Sequence, residues 1–247
     1  MIKDFVLVIP ARLESTRLPR KLLRKIEGIS IIERTFNCAF NALGDRNKII
    51  IATDSKLILE HCHLFGANVI LTSKNCLTGT DRVAEISKIV EANQYINLQG
   101  DEPIFPVSDL TYFISEVTKN PDYIYTGITK IYKEEDYNNL SIPKMVFTNS
   151  KRLLYSSRAP IPCNKSGKFV TGFKHICVYA FNKTHLNAFT SLDNKTVFEF
   201  EEDLEINRFL ELDMDVKCIP LEKGGKAVDT QEDLEKVSNL IRTNSEE

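Results

Sequence analysis

A chain of 247 residues with 32 Lys and Arg against 34 Asp and Glu has a formal charge of −2, which excludes a generally basic surface built for nucleic acid. Its 43% hydrophobic content is enough to bury one substantial core, and a single domain over 1–247 is expected. The six cysteines, Cys38, Cys62, Cys76, Cys163, Cys177 and Cys218, include no C-x-x-C pair. That spacing disfavours a zinc site or a disulfide framework and fits reduced thiols in the cytoplasm.

The first predicted element, FVLVIP at 5–10, is a β-rich apolar run too short for a signal-peptide core or a spanning helix, so neither secretion nor membrane insertion is expected. A polar loop then leads to an amphipathic helix over 31–43. KIIIAT at 48–53 reads as a buried strand, 55–66 as a helix closed by glycine, and 68–72 as a strand. This repetition predicts a largely parallel sheet. A helix over 80–92 with a threonine cap precedes YINLQ at 95–99, a strand that opens into Gly100-Asp101-Glu102-Pro103. In open α/β sheets ligands bind outside the carboxyl ends of strands, which places the loops after Pro10 and Gln99 at one crevice. From about 122 to 190 the pattern changes to closely spaced β-like runs without regular helices, predicting a β-rich subregion. A helix over 198–212, a strand at 216–221, a final helix over 230–243 and a frayed NSEE tail complete the chain.

The loop Pro10-Ala11-Arg12-Leu13-Glu14-Ser15-Thr16-Arg17-Leu18-Pro19-Arg20-Lys21 concentrates cations and hydroxyls directly after the first strand. Arg12, Arg17 and Lys21 can neutralise phosphate charge, and Ser15 and Thr16 can donate to its oxygens. Charge alone fits an ordinary solvated turn equally well. No Walker A loop, dinucleotide fingerprint or nucleophile elbow is present. Thr78-Gly79-Thr80-Asp81-Arg82 suits a helix cap or a close approach to a base or phosphate. Asp101 and Asp229 follow predicted strands and suit Mg²⁺, which takes one or two protein carboxylates and keeps waters and phosphates as its other ligands. Asp229 could equally cap the last helix. Glu199, Glu202 and Glu205, spaced i, i+3, i+6, fit a solvated helix face, with Glu205 also a candidate for holding substrate hydroxyls. His175, beside a β-like run, fits a structural or a functional role.

Taken in order, IPARLESTRLPRKLL, TGTDR, NLQGDEP, LLYSSRAPIP, FKHICVYAF and AVDTQEDL resemble the CMP-Kdo synthetases, the 3-deoxy-manno-octulosonate cytidylyltransferases, over about 5–237. The resemblance implies a Rossmann-like nucleotidyltransferase sheet flanked by helices, with a β-rich region for dimerisation and sugar binding. It implies a homodimer that uses CTP and Mg²⁺, activates 3-deoxy-manno-octulosonate (Kdo) or a close 3-deoxy sugar acid for lipopolysaccharide or capsule, and releases pyrophosphate. On matching positions, Arg12, Lys21, Asp101 and Asp229 would carry the chemistry, the two aspartates as metal ligands. Ser15, Thr16 and Arg17 would complete the CTP loop, Gln99 would help form the nucleotide and sugar pocket, Thr80 would bind substrate, and Arg158, His175, Tyr179 and Glu205 would lie around the acidic sugar. Three departures stand out: Arg20 replaces the family's glycine, Ile206 replaces a polar residue, and Pro143 adjoins Lys144. Two other readings are a cytidylyltransferase for a nine-carbon sialic-type acid and a catalytically weak, sugar-nucleotide-binding regulator.

Overall fold

A computed structural model of the chain describes residues 3–244; the tail expected to fray lies, beyond Asn244, outside them. Strand β1 (Lys3–Ala11) is buried from Phe5 to Ala11, because both faces of the sheet are covered and the alternation of a half-exposed strand is absent. Leu7 and Ile9 enter one apolar cluster, Val6 and Val8 the other. After the basic loop, a hairpin of β2 (Lys25–Ile26) and β3 (Ile29–Ser30) turns through Glu27 and Gly28 at positive φ. Helix α1 (Ile31–Leu43) begins where Ser30 Oγ accepts the Glu33 N–H and stops at Gly44, whose φ of 66° admits the left-handed cap.

The βα alternation continues through β4 (Ile49–Thr53), α2 (Lys56–His63), β5 (Asn68–Leu71), α3 (Gly79–Ser87) and β6 (Ala92–Leu98). Helix α3 corrects the expected 80–92 span at both ends. Thr78, not Thr80, caps it in a reciprocal box with Asp81. It stops at Ser87, and by Ala92 the chain already pairs with Lys3 in the sheet.

Helix α4 (Val107–Val117) has no counterpart among the expected elements, although Leu110, Phe113, Ile114 and Val117 are buried at helical spacing. Its N-cap is Pro106, which offers no capping side chain. The β-rich stretch contains β7 (Ile124–Lys130), β8 (Lys144–Phe147), β9 (Leu153–Ser157) and β10 (Phe173–Phe181). Two short helices also occur in it, against expectation. These are α5 (Glu134–Asn138), with three acids favouring its N-terminus, and α6 (Lys183–Phe189), set by a capping box between Asn182 and His185. The predicted helix over 198–212 is two helices, α7 (Val197–Glu202) and α8 (Ile206–Glu211), broken at Asp203 with φ 50°. Strand β11 (Val216–Pro220) and helix α9 (Gln231–Asn244) follow.

The main sheet runs β11-β7-β10-β6-β1-β4-β5, and β8, paired with β9, branches from β10. Strands β6, β1, β4 and β5 are parallel; β10 is antiparallel to both β6 and β7, and β11 parallels β7. Phe36, Phe113 and Val237 pack on one face, with Val83, Leu186 and Phe209 on the other. The result is a Rossmann-like α/β fold in which the chain reverses direction of winding at β1, between β4 and β6. That is where such sheets open a crevice. No helix among the described residues is long and apolar enough to cross a membrane.

Candidate active site

Two loops leave the carboxyl ends of neighbouring strands β1 and β6 and press against a third. A Cβ on Gly100 would stand 2.6 Å from the Pro10 carbonyl oxygen, and one on Gly79 3.0 Å from the Gln99 amide. Glycine at these two positions therefore lets the basic loop, the 99–102 turn and the start of α3 meet. Asp54, just past β4, adds a brace: it accepts the Leu13 N–H at 3.2 Å and pairs with the buried Arg82 at 3.0 Å.

In the first cluster, Lys21 Nζ lies 2.5 Å from Asp101 and 2.8 Å from Asp229. Asp229 also meets Arg17 at 3.1 Å. Burial opposes the charge on Lys21, but the two carboxylates outweigh it and raise its pKa. Burial likewise opposes ionisation of Asp229, and Lys21, then Arg17, overcome it and hold the carboxyl below its ordinary range. The capping alternative for Asp229 is settled by its neighbours. Thr230 and Asp233 form the cap of α9 between themselves, which leaves the Asp229 side chain free to face the cations. No group of three or more His, Cys, Asp or Glu side chains converges as a metal site among the described residues. Two oxygen-donor carboxylates, already focused on one cation, fit a hard ion that draws its other ligands from water and phosphate.

The second cluster is built on Glu205. Its carboxylate accepts the Thr80 N–H at 2.9 Å and the Gln99 side-chain amide at 2.8 Å. The carboxyl end is enclosed, and burial raises its pKa despite the Thr80 hydrogen bonds that favour the charged form. The three glutamates share no solvated face, and the break at Asp203 separates Glu205 from the other two. Glu199 is fully buried against Arg208, Glu202 accepts from Ser157 Oγ at 2.6 Å and the Arg158 N–H at 2.8 Å, and Glu205 turns to the site.

Arg158 is held through its guanidinium by the Glu202 carbonyl at 2.6 Å and the Leu140 carbonyl at 3.2 Å, and its charge is felt at Asp229 and His175. Lys144, beside Pro143, is buried and donates to the carbonyls of Asn139 and Arg158. His175 and Tyr179 lie on β10 with rings 5.5 Å apart; both are buried, and His175 Nε2 bonds Thr126 Oγ1 at 2.9 Å. Arg12 and Thr16 are exposed and Ser15 half-buried; none joins either cluster by a hydrogen bond. Arg20 adopts φ 52°, so the loop keeps a left-handed turn at the position of the missing glycine. Ile206 lies fully buried in an apolar cluster with Phe209 rather than at a polar surface.

Sequence reasoning passed over Glu102, which is 4% exposed beside Asp101 and has an oxygen without a hydrogen-bond partner among the described residues. Burial, then the neighbouring Asp101 charge, pushes it up to about 8. Its place directly after Asp101 at a strand end was the available signal. Asp54 carried the same signal after β4.

The family model for cytidylyltransferases matches residues 6–216. A 3-deoxy-manno-octulosonate cytidylyltransferase of Elusimicrobium minutum is 37% identical, with 98% of this chain and 99% of that one covered. A protein of the same description from Koribacter versatilis is 36% identical, covering 96% and 90%. A solved structure of CMP:2-keto-3-deoxy-manno-octonic acid synthetase complexed with CTP superposes with a TM-score of 0.89 at 31% identity, covering 98% and 100% of the two chains.

Proposed function

From the premise that the chain belongs to the 3-deoxy-manno-octulosonate cytidylyltransferase family, we propose that it transfers CMP from CTP to Kdo and releases pyrophosphate, supplying an activated sugar for lipopolysaccharide or capsule. The observation that carries this reading is the convergence of Lys21, Asp101 and Asp229 in loops beyond the carboxyl ends of the strands, with Gln99 and Thr80 joined to Glu205 in a second hydrogen-bonded group.

In the proposed reaction the anomeric hydroxyl oxygen of the sugar bonds to the α-phosphorus of CTP. The bond from that phosphorus to the β-phosphate bridging oxygen breaks, pyrophosphate leaves, and the hydroxyl proton passes to solvent. No side chain is assigned as general base. Lys21, Arg12 and Arg17 bind and neutralise the triphosphate; Ser15 and Thr16 donate to its oxygens. Gln99, Thr80 and Glu205 orient hydroxyls of the bound partners, and Arg158, near Asp229, attracts the sugar carboxylate, with His175 and Tyr179 forming the wall beneath. Asp101 and Asp229 would hold Mg²⁺, whose contribution when bound is neutralisation of phosphate charge. We further read the protein as a cytoplasmic homodimer.

The test is pyrophosphate release by the purified chain with CTP, Mg²⁺ and a panel of keto-deoxy acids, alongside ATP, GTP and UTP. Selective turnover with CTP and Kdo supports the reading. Turnover with a nine-carbon acid alone keeps the chemistry and overturns the sugar; CTP binding without turnover on any acid points to a sugar-nucleotide-binding regulator.

A further inference from the structure

Asp229 reaches the site on a strap, residues 221–229, that is clipped by an acid outside it. Asp109, in the first turn of α4 and 5% exposed, accepts three consecutive backbone N–H groups: Glu222 at 3.1 Å, Lys223 at 2.9 Å and Gly224 at 2.8 Å. Successive amides converging on one anion form a nest, and bonds to a charged acceptor are about twice as strong as neutral ones. The strap is also tied to β7, because the Leu221 N–H donates to the Ile128 carbonyl at 2.7 Å and Thr129 Oγ1 to the Glu222 carbonyl at 3.1 Å.

Beyond the clip the backbone has little room. A Cβ on Gly224 would collide with Ile176, and one on Gly225 with the Glu102 carboxyl group. The strap then reaches the site, where the Val228 N–H donates to the Asp101 carbonyl at 2.9 Å. The next residue is Asp229, facing Lys21. Asp109 thus fixes one end of a short, crowded span whose other end sets the two candidate metal ligands opposite each other.

We propose that Asp109 is a positioning residue for the reaction: by clipping the strap at 222–224 it sets where the Asp229 carboxylate stands relative to Asp101 and Lys21. This rests on the reading above, in which Asp101 and Asp229 serve the metal-bound nucleotide. The competing explanation is that Asp109 only satisfies three amides. The two differ at Val228, which Asp109 does not touch.

The experiment compares the full chain with Asp109→Ala, Asp109→Asn and Gly225→Ala by amide hydrogen exchange and by pyrophosphate release against Mg²⁺ concentration. Asp109→Ala should speed exchange at 222–224 and also at Val228. It should raise the Mg²⁺ needed for half-maximal turnover about 10- to 100-fold, the range for groups that orient metal ligands, with a smaller change in the KM for CTP. Asp109→Asn keeps one acceptor oxygen and should fall between. Gly225→Ala pushes the strap against Glu102 and Phe105 and should reproduce the Val228 and Mg²⁺ effects with Asp109 intact. If Asp109→Ala does not fold, the other two variants carry the comparison. Val228 still protected, with an unchanged Mg²⁺ dependence, overturns the proposal. A wild-type chain without CTP turnover removes the functional reading alone, because Val228 exchange still decides whether Asp109 sets the strap.

Discussion

Lys21 and Asp229 are separated by 208 positions in the chain and meet at 2.8 Å. Each moves the other in the direction of charge, Lys21 upward and Asp229 downward, against the burial that opposes both. Such a pair is ionised at neutral pH, and a second carboxylate, Asp101, shares the ammonium at 2.5 Å. Under the proposed function, a bound triphosphate would compete for Lys21, and Asp101 and Asp229 would be the residues to hold the cation.

Asp101→Asn tests the proposed metal role. The amide keeps the size of the side chain and removes the negative charge of a proposed metal ligand, so Mg²⁺-dependent pyrophosphate release should fall by about 100-fold or more, above the cost usual for an outer-shell change. CTP binding measured by equilibrium dialysis should change less, since Lys21 and Arg17 remain. A near-normal rate in the variant would count against metal binding at Asp101.

Ile206→Gln, which restores a polar residue at a departure from the family pattern, should act on stability before specificity. Ile206 is fully buried among apolar side chains, and an amide placed there without partners costs about 1–3 kcal/mol in desolvation, beyond the lost packing. The urea midpoint should drop while the preference among keto-deoxy acids stays the same. A changed sugar profile at full stability would return this position to the pocket.

The sequence carried the parallel half of the sheet plainly because its elements announce both ends. Helix α1 lies between the Ser30 cap and Gly44, and β1 is one apolar run. Helix α4 was illegible at its start, since Pro106 gives no side-chain cap. The break at Asp203 was hidden by acids at i, i+3 and i+6, a pattern one continuous helix would also show, and by an aspartate that tolerates the left-handed region better than most residues. Lys21, Asp101 and Asp229 were found by residue type, strand-end position and family resemblance. Their joining through one ammonium, and the clip at Asp109, depend on contacts between distant segments that no local period encodes.

Arg20→Gly should stabilise the chain. A non-glycine residue at φ 52° carries a steric cost of roughly 1–2 kcal/mol, while glycine adds about 0.4–1 kcal/mol of unfolded-state entropy. The net gain expected is about 0.8 kcal/mol at the middle of these ranges, read as a higher urea midpoint with an unchanged slope. A loss would mean that the Arg20 side chain contributes more to the loop than its backbone costs.

His175 should make the protein acid-sensitive. Burial, with a further push from Arg158, lowers its pKa to about 3, whereas an ordinary imidazole titrates near 6.5. Between those values the unfolded chain binds the extra proton, so stability rises with pH: the contribution is complete above about pH 6.5 and is lost as pH falls toward 3. At about 1.4 kcal/mol per pH unit, moving from pH 7 to pH 5 should cost the wild type about 2 kcal/mol more than His175→Gln. Urea midpoints that fall in parallel for the two proteins would remove the imidazole as the source.

Glu199 and Arg208 provide the largest expected stability effect. Both side chains are fully buried, joined by bonds of 2.6 and 2.7 Å, and the guanidinium lies 3.9 Å from the Phe189 ring centroid. Removing one member strands a buried charge, so Glu199→Gln should cost about 3–5 kcal/mol. Pairing it with Arg208→Met should cost clearly less than the sum of the two single changes, because the desolvated cation is then gone as well. Arg208 also reaches Asp81 at 3.4 Å and the Phe189 carbonyl at 3.1 Å, and Asp81 closes the capping box at the head of α3, next to the Thr80 N–H that Glu205 accepts. The single variants should therefore loosen the Thr80–Glu205 contact and raise the KM for the sugar along with the loss of stability. A double-mutant cycle in urea measures the coupling; a Glu199→Gln cost below about 1 kcal/mol would mean that Asp81 and the Phe189 carbonyl hold the guanidinium without Glu199.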